Sequence, residues 1–253
     1  MTERRTIDLN ADVGEGFGSW PMGHDEALLA VVTSVNVACG AHAGDPVVLQ
    51  RTLDAAVRAG LAVGAHPGYP DLQGFGRRAM ALSAEEIEAT VLYQVATVDG
   101  VLRALGGSLR HVKAHGALYN QAATDPAIAR PIAAAVRRIS PRLILVGLPD
   151  SALLAAGREA GLPTAAEGFA DRAYEPDGSL RSRRLPGALL TDPGAAAEQA
   201  LRLAATGTVQ TICVHSDTPE APTIAAAVRT ALEGAGYRLA PVDPVAPVAS
   251  AGA

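Results

Sequence analysis

The residues able to do chemistry in this chain fall at the ends of short apolar runs. His111-Val112-Lys113-Ala114-His115 closes one run, Asp8-Leu9-Asn10-Ala11-Asp12 another, and Cys213-Val214-His215-Ser216-Asp217 a third. His24, His42, His66, His115 and His215 stand at or just after strand-like runs, and His111 stands within one. With Asp12, Glu15, Asp45 and Asp217 they suit three tasks. Asp and His ligate zinc-like ions, although the tight H-E-x-x-H spacing is absent. His and carboxylates also carry general acid–base catalysis, worth about 10²–10⁴-fold. Arg77, Arg78 and Arg172, with Lys113, offer anion or carboxylate recognition.

Lys113 is the sharpest single residue. The chain has 21 Lys and Arg side chains, and Lys113 is its one lysine. Mid-strand between two histidines, it points to a compact point charge or a deprotonatable amine, where a planar guanidinium will not serve. Its neighbour Val112 excludes the Gly-Lys of a P-loop. Cys39 and His42 have the makings of a nucleophile pair, but Cys39 opposes Asn36 in parity and reads as packing, as does Cys213. Gly14, Gly16 and Gly18 would let backbone amides approach a phosphate. Gly74-Phe75-Gly76-Arg77-Arg78-Ala79 follows no strand directly, so it reads as a flexible lid over an anion rather than a dinucleotide fingerprint. Trp20 and Tyr69 serve either as ligand cover or as local packing.

The elements that must position these residues alternate. Strands are expected over 5–12, 34–39, 61–66, 110–115, 142–147, 163–171 and 210–217. Helices are expected near 25–33, 46–60, 84–106, 125–139, 150–160, 193–206 and 220–235. Asp45-Pro46, Asp125-Pro126 and Asp192-Pro193 place a cap acceptor before a proline at the first helical position, and Ser83 with Glu86 makes a capping box. Seven strand–helix repeats imply a parallel sheet with crossover helices. Sorted by parity, Asp8, Asn10 and Asp12 share one face of their strand, His111, Lys113 and His115 one face of theirs, and Glu167 shares a parity with Asp171. An open sheet would spread these groups under two helix layers, whereas a barrel gathers them into one interior with its mouth at the strand C-termini. The expected architecture is therefore α/β, a single TIM-like (β/α) barrel of about seven parallel strands over 1–240, with a loose tail over 241–253.

Composition narrows the function classes. The 26 acidic residues outnumber the 21 basic ones, for a net charge of −5, which argues against nonspecific nucleic-acid binding. Two cysteines are too few for a disulfide framework. No signal-peptide core or membrane-spanning run is present, so the expected location is cytoplasmic, away from any membrane.

Six stretches together resemble the LamB/YcsF family, whose members form the A component of bacterial ATP-dependent 5-oxoprolinase. They are DLNADVGEGFG (8–18), VNVACGAHAGDP (35–46), GAHPGYPDLQGFGRR (64–78), VKAHGALYN (112–120), FADRAYEPDGSLRSRRLPGA (169–188) and CVHSDTP (213–219). The chain departs from the family pattern at Ala41, Gly68, Ala114 and Ser216, where Phe, Ser, Pro and Gly are usual, and none of these removes a titratable group. The resemblance implies a barrel similar to the glycoside hydrolase/deacetylase type. It implies hydrolysis of 5-oxo-L-proline with ATP, accompanied by a divalent cation such as Mg, to glutamate, ADP and phosphate. It also implies two partner subunits that resemble allophanate hydrolase. On it, Asp12 or His115 would be the general base, and Lys113 would face the lactam oxygen or its phosphate. His42, His66 and His215 would be proton carriers or ligands, and Arg78 or Arg172 would hold the substrate carboxylate. Glu15, Asp45, Arg77, Asp171 and Asp217 complete the substrate- or ATP-binding set. The alternatives are a metal-dependent deacetylase or amidohydrolase without ATP, and a noncatalytic protein that only binds 5-oxoproline.

Overall fold

The computed structural model describes residues 5–243. Seven parallel strands close on themselves: β1 (Thr6–Val13), β2 (Ser34–Ala38), β3 (Ala62–His66), β4 (Leu109–Lys113), β5 (Ile144–Gly147), β6 (Thr164–Phe169) and β7 (Thr211–Val214). Each pairs with the next, and β1 pairs with both β2 and β7, which completes the barrel. The expected TIM-like barrel of about seven strands is what forms.

Side-chain direction follows parity. Ile7, Leu9, Ala11 and Val13 of β1 are buried in the main apolar core. The opposite parity turns inward, because its side chains bond to strands that are not their neighbours. Asn10 on β1 donates to Glu167 on β6, and Lys113 on β4 donates to Asp12 on β1. A polar interior of this kind stands only when its groups satisfy one another.

Around the barrel lie α1 (Asp25–Leu29), α2 (Pro46–Arg58), α3 (Ala84–Ala104), α4 (Gly116–Thr124), α5 (Pro126–Ile139), α6 (Ala152–Glu159), α7 (Pro193–Thr206) and α8 (Ala221–Gly234). The cap signals act as expected. Asp45 accepts from the amides of Val47 and Val48, Asp125 from Ala127, Asp192 from Ala195, and Ser83 and Glu86 bond reciprocally. Two expectations need correction. The helix expected over 25–33 ends at Leu29. The stretch after His115, for which no helix is expected before 125, forms α4, because Gly116 takes φ +55 and turns the chain from strand into helix at once. A Cβ at Gly116 would also lie 2.6 Å from the carbonyl oxygen of Gly76.

A two-residue strand, β8 (Arg238–Leu239), pairs with Thr6 and Ile7 at the bottom of β1. Of the tail expected to be loose over 241–253, 241–243 carry no regular structure, and Val242 packs against Ile144, Val146 and Ala165. The rest of that tail lies outside the described residues. Among the described residues no helix is long and apolar enough to cross a membrane.

Candidate active site

The barrel interior has two storeys. In the lower one, Asp8 is held by the hydroxyls of Thr33, Ser34 and Thr211, while Asn36 links Asn10 to His111. Burial pushes the Asp8 carboxyl up and pulls His111 down to about 3, with the Lys113 charge adding to the latter. Gly64 makes room for His111: a Cβ there would stand 2.1 Å from Nε2. The cavity left among these residues is about 10 Å³, the size of one water.

Lys113 joins the two storeys. Its Nζ donates to Asp12 Oδ1 at 3.0 Å and Cys213 Sγ at 3.1 Å, and sits 2.9 Å from Glu167 Oε1. An ammonium has three donors, and all three are engaged within the protein. Burial opposes its charge, but Asp12 and Glu167 outweigh that and hold the pKa well above the lysine range. Asp12 mirrors it: burial works against ionisation, His66 and Lys113 outweigh burial, and the carboxyl stays well below its usual range. Lys113 is thus a fixed cation that orients Asp12. Its donors are turned to Asp12, Cys213 and Glu167 within the protein.

The upper storey holds the histidines. Asp171, fully buried, accepts from His215 Nδ1 at 2.9 Å, from the His215 amide and from the Thr218 hydroxyl. His215 Nε2 therefore turns toward the cleft, 4.0 Å from Asp12 Oδ2, with its ring stacked on Phe169. Burial resists ionisation of Asp171, and His215 outweighs it, so the carboxyl stays low. Asp171 was expected among substrate- or ATP-binding residues. It is instead closed off beneath His215 and sets that ring's tautomer and direction.

His66 and His115 meet edge to face, with His66 Nε2 and His115 Nδ1 3.0 Å apart. His66 Nδ1 lies 2.8 Å from the Lys113 carbonyl and His115 Nε2 2.8 Å from the Phe75 carbonyl. His42 stacks on His115 with centroids 3.7 Å apart, and Glu15 Oε1 lies 3.4 Å from His42 Nε2 and 3.6 Å from His115 Nδ1. Burial and the neighbouring histidines keep His42 and His115 neutral, with pKa values well below the histidine range. Burial and then Asp12 raise Glu15 to about 7.

Above this floor opens a cleft of about 830 Å³, lined by Asp12, His66, Lys113, His115 and His215 and rimmed by Arg77, Arg172, Arg183 and Arg184. Arg77 and Arg183 share Asp217, at 2.6 and 3.2 Å. Burial resists ionisation of Asp217, but Arg183 and Arg77 keep it ionised. Arg172 donates to the carbonyl of Arg181, and its Nε is buried without a partner. Burial and the Arg183 charge lower Arg172 to about 10, which leaves it a cation at neutral pH. The cleft wall thus carries Arg77, Arg78, Arg172, Arg183 and Arg184 against Asp150 and Asp177.

Other expected site residues go elsewhere. Asp45 caps α2 and its second oxygen accepts from the Gly18 amide, outside the cleft. Arg78 reaches the rim but pairs with Asp71. The Gly14 amide is taken by Asp25, so the glycine loop presents carboxylate-bound amides rather than a phosphate cradle. Tyr69 is packed and bonded to Gln121, and Trp20 is exposed away from the cleft. Cys39 donates to the Val37 carbonyl and burial raises it to about 12, so it forms no pair with His42. Two site residues, Glu167 and Arg183, are not singled out by the sequence motifs. Parity already placed Glu167 on the inward face, and Arg183 lies in the arginine-rich run 181–184.

A family model for the LamB/YcsF family matches residues 7–247. The 5-oxoprolinase A subunit of Chloroflexus aggregans is 53% identical over 243 residues, covering 91% of this chain and 96% of that protein. The crystal structure of the lactam utilization protein from Thermus thermophilus superposes with TM-score 0.87 at 45% identity, over 93% of this chain and 99% of that one. The catalytic domain of peptidoglycan N-acetylglucosamine deacetylase from Eubacterium rectale is 10% identical with TM-score 0.56, over 96% of this chain and 90% of that one, and shares the fold alone. With its six motifs carried in order on one closed barrel, the chain belongs to the LamB/YcsF family.

Proposed function

We propose that the chain is the lactam-opening component of an ATP-dependent 5-oxoprolinase, working with two partner subunits. The relatives described as the 5-oxoprolinase A subunit and as a lactam utilization protein support the substrate class. The observation that carries the chemistry is the Asp171–His215 pair aimed at the cleft beside Asp12, beneath a rim arginine, Arg172, whose Nε has no partner.

A five-membered lactam is a poor electrophile. Transfer of a phosphoryl group from ATP to its oxygen gives an activated imidate and ADP. One water adds to that carbon, the C–N bond breaks as the nitrogen takes a proton, and an acyl phosphate is left. A second water releases phosphate and glutamate. His215 Nε2 is the base for the attacking water and returns the proton to the departing nitrogen, with Asp171 fixing the ring. This replaces the assignment to Asp12 or His115: Asp12 is too firmly ionised to be a strong base, and His115 Nδ1 lies against His66 Nε2 and Glu15 while its Nε2 is bonded to the Phe75 carbonyl. Asp12 stabilises the imidazolium that forms on His215. Arg172, with Arg77 and Arg183, holds the anionic phosphoryl or carboxylate group. The chain has no P-loop, so nucleotide and its divalent cation are bound by another kind of site or partly by the partner subunits.

The test is glutamate release from 5-oxoproline by this chain alone and with both partners. Product is expected only with all three chains and ATP. Release by the single chain, or without ATP, contradicts the reading and favours an ATP-independent amidohydrolase.

A further inference from the structure

Glu15, His42, His66 and His115 form a constellation that this chemistry leaves unused. A backbone carbonyl accepts and never donates, so the carbonyls of Lys113 and Phe75 place the protons on His66 Nδ1 and His115 Nε2. The two remaining nitrogens then face each other at 3.0 Å with a lone pair each. That is repulsion between neutral rings, unless something positive lies between them. Donation from the far nitrogen to a carbonyl is also how proteins orient metal-binding histidines.

Two further observations point the same way. Glu15 Oε1 and both ring nitrogens of His42 are fully buried without a hydrogen-bond partner, a costly state for polar atoms. The spacings of 3.0, 3.4 and 3.6 Å fit ligands of one ion: bonds of about 2.0–2.1 Å in a tetrahedron put the donor atoms about 3.3 Å apart. One donor atom from each of the four residues falls within 4.8 Å of all the others.

We propose that Glu15, His42, His66 and His115 bind a divalent transition-metal ion such as Zn²⁺ in the wall of the cleft. Three imidazoles and a carboxylate with no thiolate suit zinc and its neighbours rather than magnesium or calcium. The proposal does not rest on lactam hydrolysis, because its readout is metal binding by the chain itself.

The experiment strips the full chain with chelator and titrates it with Zn²⁺ by calorimetry, then with Co²⁺ to read its visible bands. One equivalent is expected to bind and to raise the unfolding midpoint. Glu15→Gln and His42→Gln are each expected to weaken binding at least about 100-fold, removing a ligand where loss of an outer partner already costs 10–100-fold. His24→Gln, at an exposed surface histidine, is expected to bind as the wild type does. X-ray absorption of the wild-type zinc form, which needs no variant to fold, is expected to show a shell of three imidazoles. Binding no stronger than that of surface sites, binding unchanged in both variants, or fewer than two imidazoles in the shell overturns the proposal. So does nitrogen NMR showing that a proton, rather than a metal, bridges His66 and His115.

Discussion

The lower and upper storeys of one barrel are built from the same strands and differ sharply in their polar chemistry. Below, Asp8, Asn10, Asn36 and His111 are closed into a network of hydroxyls and amides around a cavity of one water's size. Above, where β1 and its loop carry the chain from Asp8 to Asp12 and Glu15, satisfaction ends. The buried side-chain atoms without partners among the described residues belong to Glu15, Asp25, His42, Arg172 and Arg181, none of them in the lower network. A saturated network stabilises the barrel and can do nothing else, whereas groups left wanting partners are available to a substrate, an anion or an ion.

Variants can break that contrast, beginning at its hinge. Lys113→Met strands Asp12 and Glu167 as buried charges without their cation. It is expected to cost about 3–5 kcal/mol of stability in denaturant unfolding and to abolish turnover. Arg172→Ala acts at the mouth alone. Loss of a charge-assisted bond of about 1.5–3 kcal/mol is expected to lower kcat/KM of the reconstituted complex by about 10–100-fold, mainly through KM, with a fall in the unfolding midpoint smaller than that of Lys113→Met, from the lost bond to the Arg181 carbonyl.

The lower storey should answer in the opposite sense. Gly64→Ala drives a methyl group into His111 and is expected to cost about 1–3 kcal/mol, while the folded fraction turns over normally. The smallest effect concerns pH. His111 has a folded pKa of about 3, below its unfolded value, so the unfolded state binds more protons between about 6.5 and 3. Its contribution is intact above pH 6.5 and is lost as pH falls through that window. His111→Gln is expected to remove about 1 kcal/mol of acid destabilisation per pH unit, read by denaturant midpoints at pH 6.5 and 5.5.

Much of this was legible from periodicity. Alternation along β1 and β4 put Asp8, Asn10 and Asp12 on one face of their strand and His111 and Lys113 on one face of theirs, and faces that polar have a home inside a barrel. What was illegible depends on contacts between strands far apart in the chain. The singular lysine drew attention to Lys113, but its confinement between Asp12 and Glu167 exists only once β1, β4 and β6 face one another. Asp45 had two readings, cap and ligand, and the backbone amides of α2 claimed it. Asp171 and His215 lie 44 residues apart, and their pairing follows from the adjacency of β6 and β7 rather than from any spacing.

The central claim is that His215 moves the proton while the storey beneath only holds the barrel. It is tested most directly by the rate of glutamate formation from 5-oxoproline and ATP in the three-subunit complex carrying His215→Gln. The account predicts that kcat falls about 10²–10⁴-fold with KM and unfolding midpoint little changed. A kcat close to that of the wild type in a folded complex would contradict it.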